Sequence, residues 1–110
     1  MIDWKRVAEL RDEVGEENFG EVIDLFLFEV EDELARLTAS HAMATWATRL
    51  HFLKGNALNL GFTAFSALCQ AGETAANTNS ESDIDIDGLL SCYEQSKQAF
   101  IRGMNGIEAA

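Results

Sequence analysis

The sequence predicts an all-α protein: an antiparallel, up-down four-helix bundle with a short extra helix at its N-terminal end. Three observations predict it. Apolar residues recur three or four positions apart along almost the whole chain, and no stretch alternates with period two for long enough to make a strand. Proline is absent from all 110 residues, so no helix is broken from within. The gaps between the periodic stretches are short, which makes consecutive helices antiparallel neighbours.

Asp3 can cap a first helix carrying Trp4, Val7, Leu10 and Val14, with Gly15 as its stop. From Glu17 to about Thr38, Phe19, Val22, Ile23, Phe26, Val30, Leu34 and Leu37 form one stripe, and seven charged residues between them form an acidic outer face. After a break at Thr38 to His41, Trp46, Leu50, Leu53, Ala57 and Leu60 continue the spacing as far as Gly61. Thr63 is the expected cap of the next helix, with Phe65, Leu68, Cys69, Gly72 and Ala76 facing inward. The polar segment Asn77 to Ser82 reads as a loop. Ile86, Leu89, Leu90, Tyr93, Lys97, Phe100, Ile101 and Met104 mark a last helix, with fraying expected from Gly106 onward.

Composition sets the class. A chain of 12.1 kDa buries roughly 65% of the surface its unfolded form exposes, enough for one core and one domain over residues 1–110. Eight Lys and Arg against nineteen Asp and Glu give a net charge of -11, which repels nucleic acid and anionic lipid heads. Cys69 and Cys92 stand alone, with no CxxC or His-rich neighbourhood, and read as small buried hydrophobes in a reducing compartment. The N-terminus lacks a basic segment leading into an apolar one, and the apolar run Leu25 to Phe28 is closed by Asp24 and Glu29. The expectation is a cytoplasmic monomer, and Met1 with the small residues at the end favours a free-standing protein.

The chemistry gathers on the third predicted helix. At about 100° per residue, His51 lies about 140° from the centre of the buried stripe, so it faces solvent or a partner. Its helical neighbours are Ala47, Thr48, Lys54, Gly55 and Leu58, mostly small, with one cation. A histidine that accepts a phosphoryl group from another protein needs such surroundings, because the reacting atoms must meet in line and nearby side chains must leave room. Gly55, one turn on, gives clearance at a cost of about 1 kcal/mol of helix propensity. Lys54 supplies positive charge for the phosphoryl oxygens. Phe52 and Leu58 flank the turn as an apolar docking rim, and Ala47 and Thr48 complete the docking face.

The run Leu50-His51-Phe52-Leu53-Lys54-Gly55-Asn56-Ala57-Leu58-Asn59-Leu60-Gly61 resembles the signature of histidine-containing phosphotransfer domains, His-x-(Leu/Ile)-Lys-Gly with a further Gly six residues on. The helical layout before and after the motif extends the resemblance over nearly the whole chain. The resemblance implies that His51 is phosphorylated, that Lys54 stabilises the phosphate and that Gly55 gives clearance. It also implies a carrier between receiver-domain aspartates, with a hybrid sensor kinase upstream and a response regulator downstream. Such a carrier needs no cofactor of its own, because the receiver brings the Mg²⁺. Family members often place Gln or Glu on the next helix against the imidazole. Reflecting the antiparallel pair about Gly61 and Phe62 puts His51 opposite Gly72, with Glu73 beside it as the orienter. A larger apolar residue is expected where Gly72 stands.

Other readings are weaker. Asp83, Asp85, Asp87, Gly88 and Glu94 satisfy the spacing of an EF-hand calcium loop, but the apolar period keeps helical phase through the middle of that loop, which calcium binding needs unwound. Acidic residues there already have a reason in helix capping. His41 has no supporting constellation and reads as a solvated loop or cap residue. A sensor-kinase dimerisation helix places Pro after its His-Glu, and this chain has none. An autonomous enzyme would need a phosphate loop, a second catalytic group or a metal-ligand cluster beside His51, and none is visible. The remaining alternative is a helical adaptor that binds a receiver or kinase without taking phosphate.

Overall fold

The computed structural model describes the backbone of residues 2–39, 43–78 and 84–109 and the side chains of 2–39, 46–78 and 84–104. Among the described residues there are five helices: α1 (Trp4–Val14), α2 (Glu16–Ala39), α3 (Met43–Leu60), α4 (Thr63–Asn77) and α5 (Ile86–Ala109). The arrangement is the all-α bundle, α2 to α5, with α1 as the extra N-terminal helix. His41, Asp83 and most of the expected loop up to Ser82 lie outside the described residues. At about 1.5 Å per residue, a 24-residue helix such as α2 or α5 spans about 36 Å and sets the long axis of the 47 × 20 × 20 Å molecule.

The first helix starts as capping chemistry dictates: Asp3 Oδ1 accepts the Arg6 N–H at 3.2 Å. It stops at Gly15, whose φ of 86° is open to glycine at little cost. The α3–α4 turn has the same logic at Gly61, with φ 76° and Asp3 O only 2.6 Å from where a Cβ would stand. Here the backbone does the fastening. The Phe62 N–H donates to Ala57 O at 2.8 Å, and the Asp3 N–H donates to Gly61 O at 2.7 Å, with Ile2 and Phe62 bridged beside it. Thr63 is the first helical residue, not the cap. Phe62 occupies the cap position without a side-chain bond, because the turn needs Phe62 as a core residue.

The core is one cluster. Phe62, Phe65, Phe100, Leu37, Leu50, Leu53, Leu60, Val7 and Val30 are fully buried. Trp4 stacks on Phe100 with centroids 5.8 Å apart, Phe62 meets Phe100 edge-on at 5.6 Å, and Phe65 meets Tyr93 at 5.4 Å. Trp4 lies directly against Gly103, which leaves no room for a Cβ there. Across the other side of the bundle, Glu31 of α2 accepts both the Tyr93 hydroxyl at 2.7 Å and the Lys97 ammonium at 2.8 Å. A groove of about 930 Å³ floored by Phe19, Ile23, Phe100 and Met104 runs between α2 and α5.

The inner face of α4 differs from expectation. Phe65, Ser66, Cys69, Gly72 and Ala75 are buried, whereas Leu68 is 41% exposed and Ala76 is half-buried. The packing is lopsided: α4 lies close on α3 and only loosely on α5, and along it the small Ser66 is covered while the larger Leu68 is left open. Leu90 and Ile101 of α5 are likewise partly exposed. Cys69 is fully buried and Cys92 half-buried; burial pushes the Cys69 thiol up to about 12. The described backbone stays helical to Ala109, so the fraying expected from Gly106 is not seen. Glycine weakens a helix end without the ring clash of proline.

Candidate functional site

The α3–α4 pair is the tightest in the molecule, and Gly72 is what allows it. A Cβ at Gly72 would lie 3.1 Å from Leu50 Cδ1, so the missing side chain is the space that Leu50 occupies. The larger residue expected opposite His51 would force the helices apart. Leu50, one residue before His51, is the one that faces Gly72.

With α3 and α4 this close, polar side chains at the edge of their contact meet. His51 Nδ1 lies 2.9 Å from Glu73 Oε1, and Lys54 Nζ donates to Glu73 Oε2 at 3.1 Å and to Gln70 Oε1 at 2.8 Å. The two pairs share one register: three residues forward on α3, from 51 to 54, match three residues back on α4, from 73 to 70. Gln70 Nε2 in turn donates to Thr74 Oγ1 at 3.2 Å. The sequence reading missed Gln70, although the same reflection that found Glu73 would reach it when started from Lys54.

The environments of these groups differ. The His51 side chain is 68% exposed, whereas those of Lys54 and Glu73 are 20% and 15% exposed. Burial pushes the Glu73 carboxyl up, but hydrogen bonds and charge from Lys54 and His51 outweigh it and hold the group below its ordinary 4.5. Glu73 is therefore ionised at neutral pH and can only accept. It follows that Nδ1 carries the ring proton in the neutral imidazole, and the Nε2 lone pair is left available.

Around this core, Gly55 is exposed and a Cβ placed on it would meet nothing within 4 Å, so the chain itself does not need the glycine for space. Leu58 and Phe52 are 55% and 45% exposed, large for apolar side chains. Thr48 is exposed and Ala47 half-buried. Phe52 lies about 100° round α3 from His51, whereas Leu58 is nearly in line with it. None of these residues lines the α2–α5 groove.

The calcium-loop pattern has a different outcome. Asp85 Oδ1 accepts the Gly88 N–H at 2.9 Å, capping α5, and residues 86 to 94 are helical where the loop would have to be open. Among the described residues no group of three or more His, Cys, Asp or Glu is placed to hold a metal, and no helix is long and apolar enough to cross a membrane.

The site thus sets an exposed imidazole beside a carboxylate, with an ammonium one turn away, on a helical bundle. A protein-family model described as Hpt domain matches residues 21–99, well over half of the chain, and the chain belongs to that family. No curated protein and no solved structure matches it. Membership gives the chain a phosphotransfer role in two-component phosphorelay signalling, in a family whose members are in general phosphocarriers that interact with receiver or kinase domains.

Proposed function

We propose that His51 is the phosphoacceptor and that the chain accepts its phosphoryl group from a receiver-domain aspartyl phosphate and passes it to a second response regulator, with a hybrid sensor kinase at the head of the relay. The observation that carries this reading is the pairing of His51 Nδ1 with an ionised Glu73 on an otherwise exposed ring. The receiver docks over Ala47, Thr48, His51, Phe52, Gly55 and Leu58. The Nε2 lone pair forms the new N–P bond, the P–O bond to the receiver aspartate breaks, and that aspartate leaves as a carboxylate. The ring becomes imidazolium-like, keeps its Nδ1 proton, and has the Glu73 carboxylate beside that proton to offset the charge. Lys54 offsets the charge that the phosphoryl oxygens bring to an already acidic surface.

The chain lends position and charge; the receiver lends the in-line geometry and Mg²⁺, so the transfer is reversible. A monomer acting in the cytoplasm fits this role. Intact mass after incubation with phosphoramidate or a phosphorylated receiver tests it on wild type and His51→Gln. A single acid-labile, base-stable phosphate on wild type alone is the expected result. No adduct on a folded sample would leave the adaptor reading, in which His51→Gln keeps its function.

A further inference from the structure

We propose that Gln70 is a positioning residue for phosphoryl transfer: together with Glu73 it holds the Lys54 ammonium one turn from His51, with one N–H left for the arriving phosphoryl oxygens. The inference rests on His51 as the acceptor. An ammonium has three donors, and two of them are engaged on α4, by Gln70 Oε1 at 2.8 Å and Glu73 Oε2 at 3.1 Å. A lysine stem otherwise keeps large rotamer freedom, which has to be given up when it binds a phosphate. Here that freedom is already restricted before the partner arrives.

The choice of an amide matters. Glu73 is already committed to His51 through its other oxygen, so a second anchor is needed to fix Lys54. A second carboxylate would hold the lysine as well, but would place another negative charge beside the incoming phosphoryl group. Gln70 anchors without adding charge. Its orientation is set by Thr74, whose Oγ1 takes the Gln70 Nε2–H and thereby turns Oε1 toward Lys54. The chain Thr74, Gln70, Lys54, Glu73, His51 thus runs along the α3–α4 edge as a single polar network.

Gln70 is exposed, so its variants should fold. The test compares single-turnover transfer from a phosphorylated receiver, receiver affinity, and the ¹⁵N signal of the Lys54 ammonium in wild type, Gln70→Leu, Gln70→Glu, Lys54→Ala and the Gln70→Leu/Lys54→Ala double variant. For Gln70→Leu, transfer should slow by roughly 3- to 10-fold, the worth of one hydrogen bond, with affinity unchanged and the ammonium signal broadened by solvent exchange. Gln70→Glu should keep the sharp ammonium signal yet also slow transfer. In the Lys54→Ala background, Gln70→Leu should cost nothing further. A wild-type rate in Gln70→Leu, or an equal loss with and without Lys54, overturns the role of Gln70 while leaving the carrier reading intact. If wild type itself takes no phosphate, the carrier reading falls and this role with it.

Discussion

Glu73 holds His51 Nδ1 at 2.9 Å with one carboxylate oxygen while the other holds Lys54 at 3.1 Å. One side chain therefore ties the His51 imidazole and the neighbouring Lys54 ammonium to the same helix. Because these partners keep the carboxyl below its ordinary 4.5, it contributes stability at pH values above 4.5 and loses that contribution as pH falls through its lowered folded value. Thermal melts of wild type and Glu73→Gln should differ at neutral pH in favour of wild type, and the gap should close in acid. Transfer by Glu73→Ala should fall by about 10- to 100-fold, the size of effect seen when the carboxylate that orients a metal-bound imidazole is removed.

Gly55 should separate folding from docking. Since a Cβ there meets nothing within 4 Å, Gly55→Ala should raise stability by up to about 1 kcal/mol through helix propensity. Gly55→Leu should fold as well as wild type, yet weaken receiver binding by more than about tenfold. Melting temperature and titration against a receiver check the two halves of this expectation.

Gly72 should behave in the opposite way. A branched side chain at Gly72 drives into Leu50, so Gly72→Val should cost about 1–3 kcal/mol by overpacking. Pushing α4 off α3 also separates Glu73 from His51, and the loss of the hydrogen bond should appear as a change in the His51 ring signals by NMR.

Calcium should leave the melting temperature unchanged. A ligand at 100 times its dissociation constant would add about 2.7 kcal/mol, but residues 86 to 94 are wound into α5 and Asp85 is already engaged in capping it. A rise in melting temperature with calcium but not with magnesium would contradict this.

Much of this was legible in the sequence because it depends on local pattern. The period of Leu50, Leu53, Ala57 and Leu60 gave the buried face of α3, and the same arithmetic placed His51 outside it. Glu73 was reachable because a tight turn at Gly61 makes the facing helix a reflection. The misses have a common cause in how helices sit side by side. Leu68 and Ser66 exchange burial because α4 leans on α3, a lateral choice that a one-helix periodicity does not contain. Thr63 looked like a cap because its type favours that place, but burial of Phe62 and bonds from the distant Asp3 decided the turn. Gly72 looked out of place until Leu50 was seen to fill it.

The fastening of Asp3 to Gly61 has a consequence for the site about two to three turns away. His51 meets Glu73, and Lys54 meets Gln70, only while the two helices count residues from the same point, and that point is a pair of peptide groups tied to the start of the chain. One residue inserted at the turn would rotate every α4 side chain by about 100° and bring Gly72, which has no side chain, to the place of Glu73. His51, Lys54, Gln70 and Glu73 are spelled in side chains; the origin from which they are measured is kept by a backbone hydrogen bond from Asp3 to Gly61 and by the burial of Phe62, and of these three residues the motif over residues 50 to 61 contains only Gly61.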